Sequence, residues 1–397
     1  MTLPQSFIDE MTRTLGPDEA QRLFDSLSTA QPTSVRRNPR KMNADAEQAL
    51  QAMLEGSTEV EWCREGRRLC QRPSFTMDPL FHAGAYYVQE ASSMYVAHLI
   101  NTYVRERDVT ALDLCAAPGG KSTVLLSRLS EGSQLIANEV MPKRAQVLRE
   151  NLSKWGARNV WVTNNRVSDF SRMREVFDLI VCDVPCSGEG MFRKDETAVS
   201  EWSTDNVEMC VERQRDIVET IWPCLKPGGL MIYSTCTFNS HEDEENVEWI
   251  ERTLGAQALP CPAEPDWGIV GNLLPGGTAP CAHFFPHHVV GEGFFCALLR
   301  KEGEDETPRV PLTDRMLRPL HILPLERFDE GSVATVDVDR PTALQFLHGE
   351  ALRLPADTPR GIVTITYCHL PLGQAKNIGN RANNLYPKEW RIRKQVN

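Results

Sequence analysis

Through the middle of the chain, short unbroken apolar runs take turns with longer stretches in which apolar residues recur every three or four positions. The runs VTALDLCA (109–116), SQLIANEV (133–140), NVWVTN (159–164), FDLIVCDVP (177–185) and GLMIYSTCT (229–237) predict strands buried on both faces. Between them KSTVLLSRLS (121–130), PKRAQVLRENLSKW (142–155), NVEMCVERQRDIVETIWPCL (206–225) and SHEDEENVEWIERTL (240–254) each carry one apolar stripe, the mark of a helix packed on a sheet. Such alternation predicts an α/β unit with a mostly parallel, doubly wound sheet. A strand pair is expected in HFFPHHVVGEGFFCALLRK (283–301).

The flanks have a different grain. Ahead of the α/β unit, QSFIDEMTRTL (5–15) and ADAEQALQAMLE (44–55) are helical in pattern among short strand-like pieces, and QEASSMYVAHLINTYV (89–104) reads as a third helix. Behind it, KEGEDETPRVPLTDR (301–315) is charged and interrupted by proline, which suggests a linker. A small module follows, with strand alternation and then glycines, aromatics and basic residues. The expected division is 1–106, 107–300, 301–315 and 316–397.

Composition changes this picture only at its edges. The 397 residues are 41% hydrophobic, enough for a sizeable core, and no stretch reaches the roughly 18 uncharged apolar residues of a membrane helix. The first residues carry acids where a signal peptide would carry a basic and then an apolar run, so a cytoplasmic protein with no membrane partner is expected, and a monomer. Twelve cysteines without a secretory signal argue against a disulfide framework, and the absence of any Cys-x-x-Cys pair leaves a zinc ribbon or thioredoxin-like site unsupported, so no metal is expected. A net charge of −11 counts against nucleic acid, but the basic residues cluster: four in RRNPRK (36–41), three in REGRR (64–68), and six against the single acid Glu389 in the tail from Lys376. The acids gather instead in HEDEENVE and EGEDE, and solvated faces can produce either kind of cluster by chance.

The first strand runs into CAAPGGKS, whose Gly120-Lys121-Ser122 ends like a phosphate-binding loop. Such a loop needs a glycine where this chain has Cys115, and the pattern is not that of a dinucleotide fold either. Glu139 ends the second strand, 19 residues after Gly120, where a carboxylate accepts from ribose hydroxyls. An adenosine without a phosphate requirement fits, and S-adenosylmethionine is the favoured ligand. An ATPase, with Asp183 as its magnesium ligand, is the disfavoured reading.

Cys186 follows the fourth strand and Cys236 ends the fifth, so topology brings both thiols to one crevice beside Asp183. Chemistry gives a reason for a thiol beside a methyl donor. Carbon 5 of a pyrimidine becomes nucleophilic only after a thiolate adds at carbon 6, and a second group nearby can serve release. A lone cysteine after a strand is more often structural; two that converge reverse that balance.

The motifs DLCAAPGGKS, NE, DVPCSGEGMFRKD and YSTCTFNSHEDEENV resemble those of the Sun-type family of RNA cytosine carbon-5 methyltransferases. Within it, HAGAYYVQEASSM, FFPHHVVGEGFF and NNLYPKEWRI resemble the bacterial branch acting on 16S ribosomal RNA. The resemblance implies a Rossmann-like, class I S-adenosylmethionine-dependent methyltransferase with an RRM-like, RNA-binding α+β amino-terminal region and a PUA-like carboxy-terminal RNA-binding module. It also implies that Cys236 is the nucleophile, Cys186 assists release, Asp183 contacts the cytosine edge and Lys121 lies beside the pocket. Cys115, Ala116, Ala117, Pro118, Gly119, Gly120, Lys121 and Glu139 would hold the cofactor, with Asp183 beside it and Arg144 bordering it. Asn165 stands where the family usually has an aspartate, and its side-chain oxygen could accept from the adenine amino group. The implied product is 5-methylcytosine and the implied partner 16S rRNA or the 30S subunit, reached as an unstacked base.

Three competitors remain at this stage. One is an RNA-binding ribosome-assembly factor that keeps the fold without catalysis, and another is a tRNA enzyme of the same chemistry. The third is a DNA enzyme, whose nucleophile would sit in a Pro-Cys pair such as Pro185-Cys186. In the tail, Tyr386 and Trp390 either pack the module or stack on bases.

Overall fold

The computed structural model describes residues 2–104, 107–304, 308–328 and 330–393. The amino-terminal part opens with helices α1 (Gln5–Leu15) and α2 (Pro17–Leu27), the second unforeseen in the apolar pattern. Then follow β1 (Thr33–Arg37), α3 (Ala44–Leu54), β2 (Thr58–Val60), β3 (Cys63–Leu69), α4 (Pro79–His82) and β4 (Tyr86–Val88). Their antiparallel order β2-β3-β1-β4 is a β-α-β-β-α-β arrangement of the ferredoxin-like kind. Helix α5 (Tyr95–Tyr103) starts later than its apolar stripe, because the Glu90 carboxylate accepts from Ser92 N and Ser93 N, both at 2.8 Å, and pins a turn there.

The central unit contains β5 (Thr110–Asp113), α6 (Gly120–Arg128), β6 (Gln134–Asn138), α7 (Pro142–Trp155), β7 (Val160–Thr163) and β8 (Phe177–Asp183). It continues with α8 (Glu196–Glu201), α9 (Thr204–Ile221), β9 (Leu225–Thr235), α10 (Glu244–Leu254), β10 (Ala256–Leu259), β11 (Ala282–Phe284) and β12 (Phe294–Lys301). Helix α11 (Asp314–Leu317) and β13 (Ile322–Leu323) complete it. The strand order is β10-β12-β9-β8-β5-β6-β7-β13, with β11 on β12. Strands β5 to β9 are parallel to their neighbours, and the flanking pairs are antiparallel. Alternate residues of β8 feed opposite cores: Leu179 and Val181 meet Leu125, Leu148 and Leu152, whereas Ile180 and Cys182 meet Ile217, Ile221 and Val247. Because β8 and β6 lie on opposite sides of β5, the switch point falls between β5 and β8.

Two departures from the sequence pattern have simple causes. Pro223 stops the ninth helix early and β9 begins at Leu225, so residues read as helix join the sheet. The segment read as a linker instead lies along the sheet. Val310 O accepts from Thr110 Oγ1 at 2.6 Å, Leu312 N donates to Gln134 at 2.8 Å and Leu312 is buried, after which β13 extends the edge beyond β7. Residues 105–106 at the expected first boundary, 305–307 of this segment and Lys394 of the basic tail lie outside the described residues.

The last sheet holds β14 (Ala334–Asp337), β15 (Gly361–Tyr367), β16 (Leu370–Asn377) and β17 (Ala382–Asn384), with α12 (Arg340–His348) against it. Its core is shared with the amino-terminal sheet: Val35, Leu80 and Tyr86 pack in one cluster with Phe346, Leu372, Tyr386 and Trp390. Tyr386 and Trp390 are thus packing residues, 1% and 6% exposed. Among the described residues no helix is long and apolar enough to cross a membrane.

The basic patch at 36–41 is divided by the same packing. Arg36 is buried, where it donates to Gln89 Oε1 (2.8 Å), Thr123 Oγ1 (2.5 Å) and Ser127 Oγ (3.2 Å) and lies 4.9 Å from the Trp155 ring centre. It ties the amino-terminal sheet to α6. Lys41 donates to Ala83 O and Lys154 O, both at 2.6 Å, leaving exposed Arg40 as a cation of that patch open to solvent. Replacing Arg36 with alanine strands these acceptors, at a cost of about 2–3 kcal/mol. A melting curve of Arg36→Ala should show the loss as a clearly lowered transition, and an unchanged one would mean that the two units are not held together there.

Candidate active site

The carboxyl ends of β5, β8 and β9 open on a cavity of about 330 Å³. Ala116, Ala117 and Pro118 form one wall, and the turn closes through Gly119, whose φ of +117° is costly for any residue with a side chain. Arg144 Nη2 donates to Ala117 O at 2.7 Å and so braces this loop from α7. Lys121, in the first turn of α6, reaches across to Asp183 Oδ1 at 2.8 Å, and Ser234 Oγ donates to the same oxygen at 2.8 Å. Burial alone would lower the lysine's proton affinity, but Asp183 outweighs it, so the ammonium is held above its ordinary value. Its Nζ also lies 4.9 Å from the Phe294 ring centre.

Asp113 Oδ1 and Glu139 Oε2 are buried without a hydrogen bond, although Arg144 Nη1 lies 3.5 Å from the second. Asp113 accepts from Ser122 Oγ through its other oxygen at 2.6 Å, and burial pushes its carboxyl up to about 7. Glu139 Oε1 accepts from Met141 N at 2.8 Å. Asn165 is occupied differently from the expectation: its Oδ1 accepts from His321 N at 3.1 Å and its Nδ2 faces His321 O at 3.4 Å. Its amide anchors the approach to β13.

The two cysteines predicted to converge do so. Cys186 Sγ and Cys236 Sγ are 3.3 Å apart, both as free thiols. They are not equivalent, since Cys236 lines the cavity and Cys186 sits behind it, with Cys236 N donating to Cys186 Sγ at 3.4 Å. The bond to Cys236, together with burial, raises Cys186 well above an ordinary thiol. Cys186 therefore keeps its proton at neutral pH.

What fixes this geometry is the acidic run HEDEENVE, for which a solvated face is one of the readings open in the sequence. Glu242, Asp243 and Glu244 are buried. Glu242 accepts from Ser187 N (3.0 Å), Gln214 (2.7 Å) and Asn239 (2.8 Å), which ties the Cys186 loop to the residues after Cys236. Glu189 likewise accepts from Phe238 N (2.6 Å), Asn239 N (3.0 Å) and Trp202 Nε1 (2.9 Å). Glu242 and Glu189 are satisfied by backbone, amide and indole donors, which is how buried acids are tolerated. Phe7 and Met11 of α1 seal the loops from outside against Phe192, Trp202 and Phe238. Gly190 N donates to Cys236 O at 2.8 Å, and a Cβ at Gly190 would lie 2.9 Å from that oxygen and 3.2 Å from Gly293 Cα. Gly190→Ala must shift backbone beside Cys236. We expect about 1–3 kcal/mol of destabilisation and at least a tenfold lower turnover, checked by melting and single-turnover rates.

The remaining wall, from Tyr87 to Ser93 and from Glu292 to Phe294, was missed as a site in the sequence. Both stretches lie in the motifs HAGAYYVQEASSM and FFPHHVVGEGFF that carry the family resemblance, but their residue types point to no particular chemistry, so they yield no site residue.

Residues 102–300 match the family model described as 16S rRNA methyltransferase RsmB/F. The chain belongs to this family. Residues 3–91 match the N-terminal domain of 16S rRNA methyltransferase RsmF, and residues 333–392 the methyltransferase RsmF PUA domain. Ribosomal RNA small subunit methyltransferase F of Escherichia coli is 33% identical over 84% of each chain. The same-named protein of Pectobacterium atrosepticum is 34% identical over 76% of this chain, which spans 63% of that relative's length. Among solved structures, a methyltransferase homologue from Pyrococcus horikoshii superposes with a TM-score of 0.64 at 26% identity, covering 75% of this chain and 95% of that one. Members of the RsmB/F family are methyltransferases, and the crevice at the β5/β8 switch point is where a doubly wound sheet takes its cofactor.

Proposed function

We propose that the protein methylates carbon 5 of cytosine in RNA, with 16S ribosomal RNA of the small subunit as substrate and S-adenosylmethionine as cofactor. The observation that carries this reading is the inequivalent thiol pair: Cys236 faces the cavity beside the Lys121–Asp183 pair, while Cys186 stands 3.3 Å behind it.

The site fits the cofactor on its own evidence of structure. The small, glycine-turned loop at Ala116–Gly120 admits close approach, and two buried oxygens without a hydrogen bond, Asp113 Oδ1 on the cavity wall and Glu139 Oε2, which faces Arg144 Nη1 at 3.5 Å, would accept from ribose hydroxyls or an ammonium group. Arg144 would hold the loop in place, and Asn165 would act on the edge of the site through His321. When bound, S-adenosylmethionine supplies a methyl group on a sulfonium.

The chain's own residues do the rest. Cys236 Sγ adds to carbon 6 of the base, which turns carbon 5 into an enamine carbon. Both hydrogen bonds to Asp183 fall on Oδ1, leaving Oδ2 for the exocyclic amino group of cytosine, with Lys121 held against the pocket by the same carboxylate. Cys186 is placed to serve the elimination: its proton passes to the departing Cys236 sulfur 3.3 Å away as the bond from carbon 6 breaks, and the thiolate so formed takes the proton from carbon 5. The target base must be unstacked, because neither carbon is reachable in a helix.

The test is to incubate the protein with isotope-labelled S-adenosylmethionine and separate pools of 30S subunits, naked 16S RNA and tRNA, and to identify labelled nucleosides by mass spectrometry. Labelled 5-methylcytosine in a 16S-containing pool supports the reading. Label in tRNA alone moves the substrate, and no label in any pool favours an RNA-binding assembly factor.

A further inference from the structure

The cavity holds a second ion pair that the chemistry above does not use. Lys194, near the end of the Cys186 motif DVPCSGEGMFRKD, pairs with Glu292, which precedes Gly293 and Phe294 on the far wall. Both line the cavity together with Cys236. Glu292 is 3% exposed at its side chain and Lys194 26%, so the carboxylate lies inside and the ammonium at the mouth. Glu292 is held firmly: its N donates at 3.0 Å to Glu90 Oε1, and the Glu90 carboxylate is already committed to Ser92 N and Ser93 N. Glu90 therefore acts as a brace for this wall rather than as a free acceptor.

Two charged pairs in one cavity need two complements. A flipped nucleotide offers its base edge, which the Lys121–Asp183 pair meets beside Cys236. What remains is a ribose, whose 2′-hydroxyl can donate, and a phosphate, which can only accept. A buried carboxylate seeks a donor, and an ammonium at the mouth seeks an anion. The 2′-hydroxyl is also the group by which a protein distinguishes RNA from DNA at a given nucleotide.

Resting on the function proposed above, we infer that Lys194 and Glu292 bind the backbone of the target nucleotide, Lys194 taking a flanking phosphate and Glu292 accepting from the ribose 2′-hydroxyl. Glu292 is then the residue that makes this site prefer ribonucleotides, and the pair opens when RNA enters because Lys194 exchanges a carboxylate for a phosphate.

The probe is a synthetic RNA carrying the cytosine labelled in the preceding experiment, made with ribose or with 2′-deoxyribose at that one nucleotide. The wild-type protein should methylate the ribose form with a kcat/KM about tenfold higher, the worth of one hydrogen bond to a charged group. Glu292→Ala should bring the two substrates to within about twofold of each other, with Glu292→Gln as the variant to read if the alanine form melts early. Lys194→Ala should keep the ribose preference but lower kcat/KM on both RNAs, with a salt dependence shallower by about one phosphate contact. A wild-type ribose preference that survives in both Glu292 variants, or no such preference in the wild type, overturns the inference while leaving the methyltransferase reading intact. Failure of the wild type to methylate either RNA overturns both.

Discussion

Cys236→Ala is expected to abolish 5-methylcytosine formation, with a fall of about four orders of magnitude or more in single-turnover rate. Positioning and electrostatics survive in such a variant, but carbon 5 of cytosine is not nucleophilic without the bond at carbon 6, so nothing else in the cavity substitutes. The change is small in packing terms. Cys236 sits at the cavity wall, and the loop around it is held by Glu189 and Glu242 through backbone and amide donors that the substitution leaves in place. The variant should therefore melt close to the wild type and still bind RNA. Loss of methylation with loss of folding would not distinguish the roles, which is why melting and RNA binding are measured with it.

Cys186→Ala is expected to give the opposite signature, with attack intact and release impaired. The thiol behind Cys236 is the nearest group able to serve the elimination, and its removal leaves the carbon 6–sulfur bond formed but slow to break. The expected result is an enzyme–RNA complex that survives denaturing electrophoresis, with turnover reduced by about two to four orders of magnitude, the usual range for loss of an acid–base group. If the roles were exchanged, as in the Pro-Cys chemistry of a DNA enzyme, the trapped complex would form with Cys236→Ala instead.

Much of this site could be read from the sequence because its parts are local. A strand, a small-residue turn and a helix are contiguous in Leu112–Arg128, and Cys186 and Cys236 each follow a strand whose apolar run is plain. What could not be read depends on tertiary partners. Arg36 and Arg37 are both basic in the sequence, but strand alternation sends Arg36 inward to Gln89 and Thr123. Glu242 and Glu244 look like solvent-facing acids until Ser187 N, Gln214 and His283 are brought to them from distant segments. The charged, proline-rich segment after residue 301 looks like a tether, yet Val310 and Leu312 sit on the sheet. Asn165 shows the same limit, since the atom expected to face adenine is taken by a backbone group more than 150 residues along the chain.

The central claim is that Cys236 makes the covalent bond to RNA and Cys186 helps to break it. The most direct test is to mix Cys186→Ala protein with 16S RNA and S-adenosylmethionine, isolate the complex under denaturing conditions, digest it with nuclease and protease, and locate the nucleotide by mass spectrometry. A nucleotide on the peptide containing Cys236, absent when that residue is also alanine, is the predicted result. A nucleotide on any other residue, or no covalent complex while methylation continues at the wild-type rate, would contradict the account.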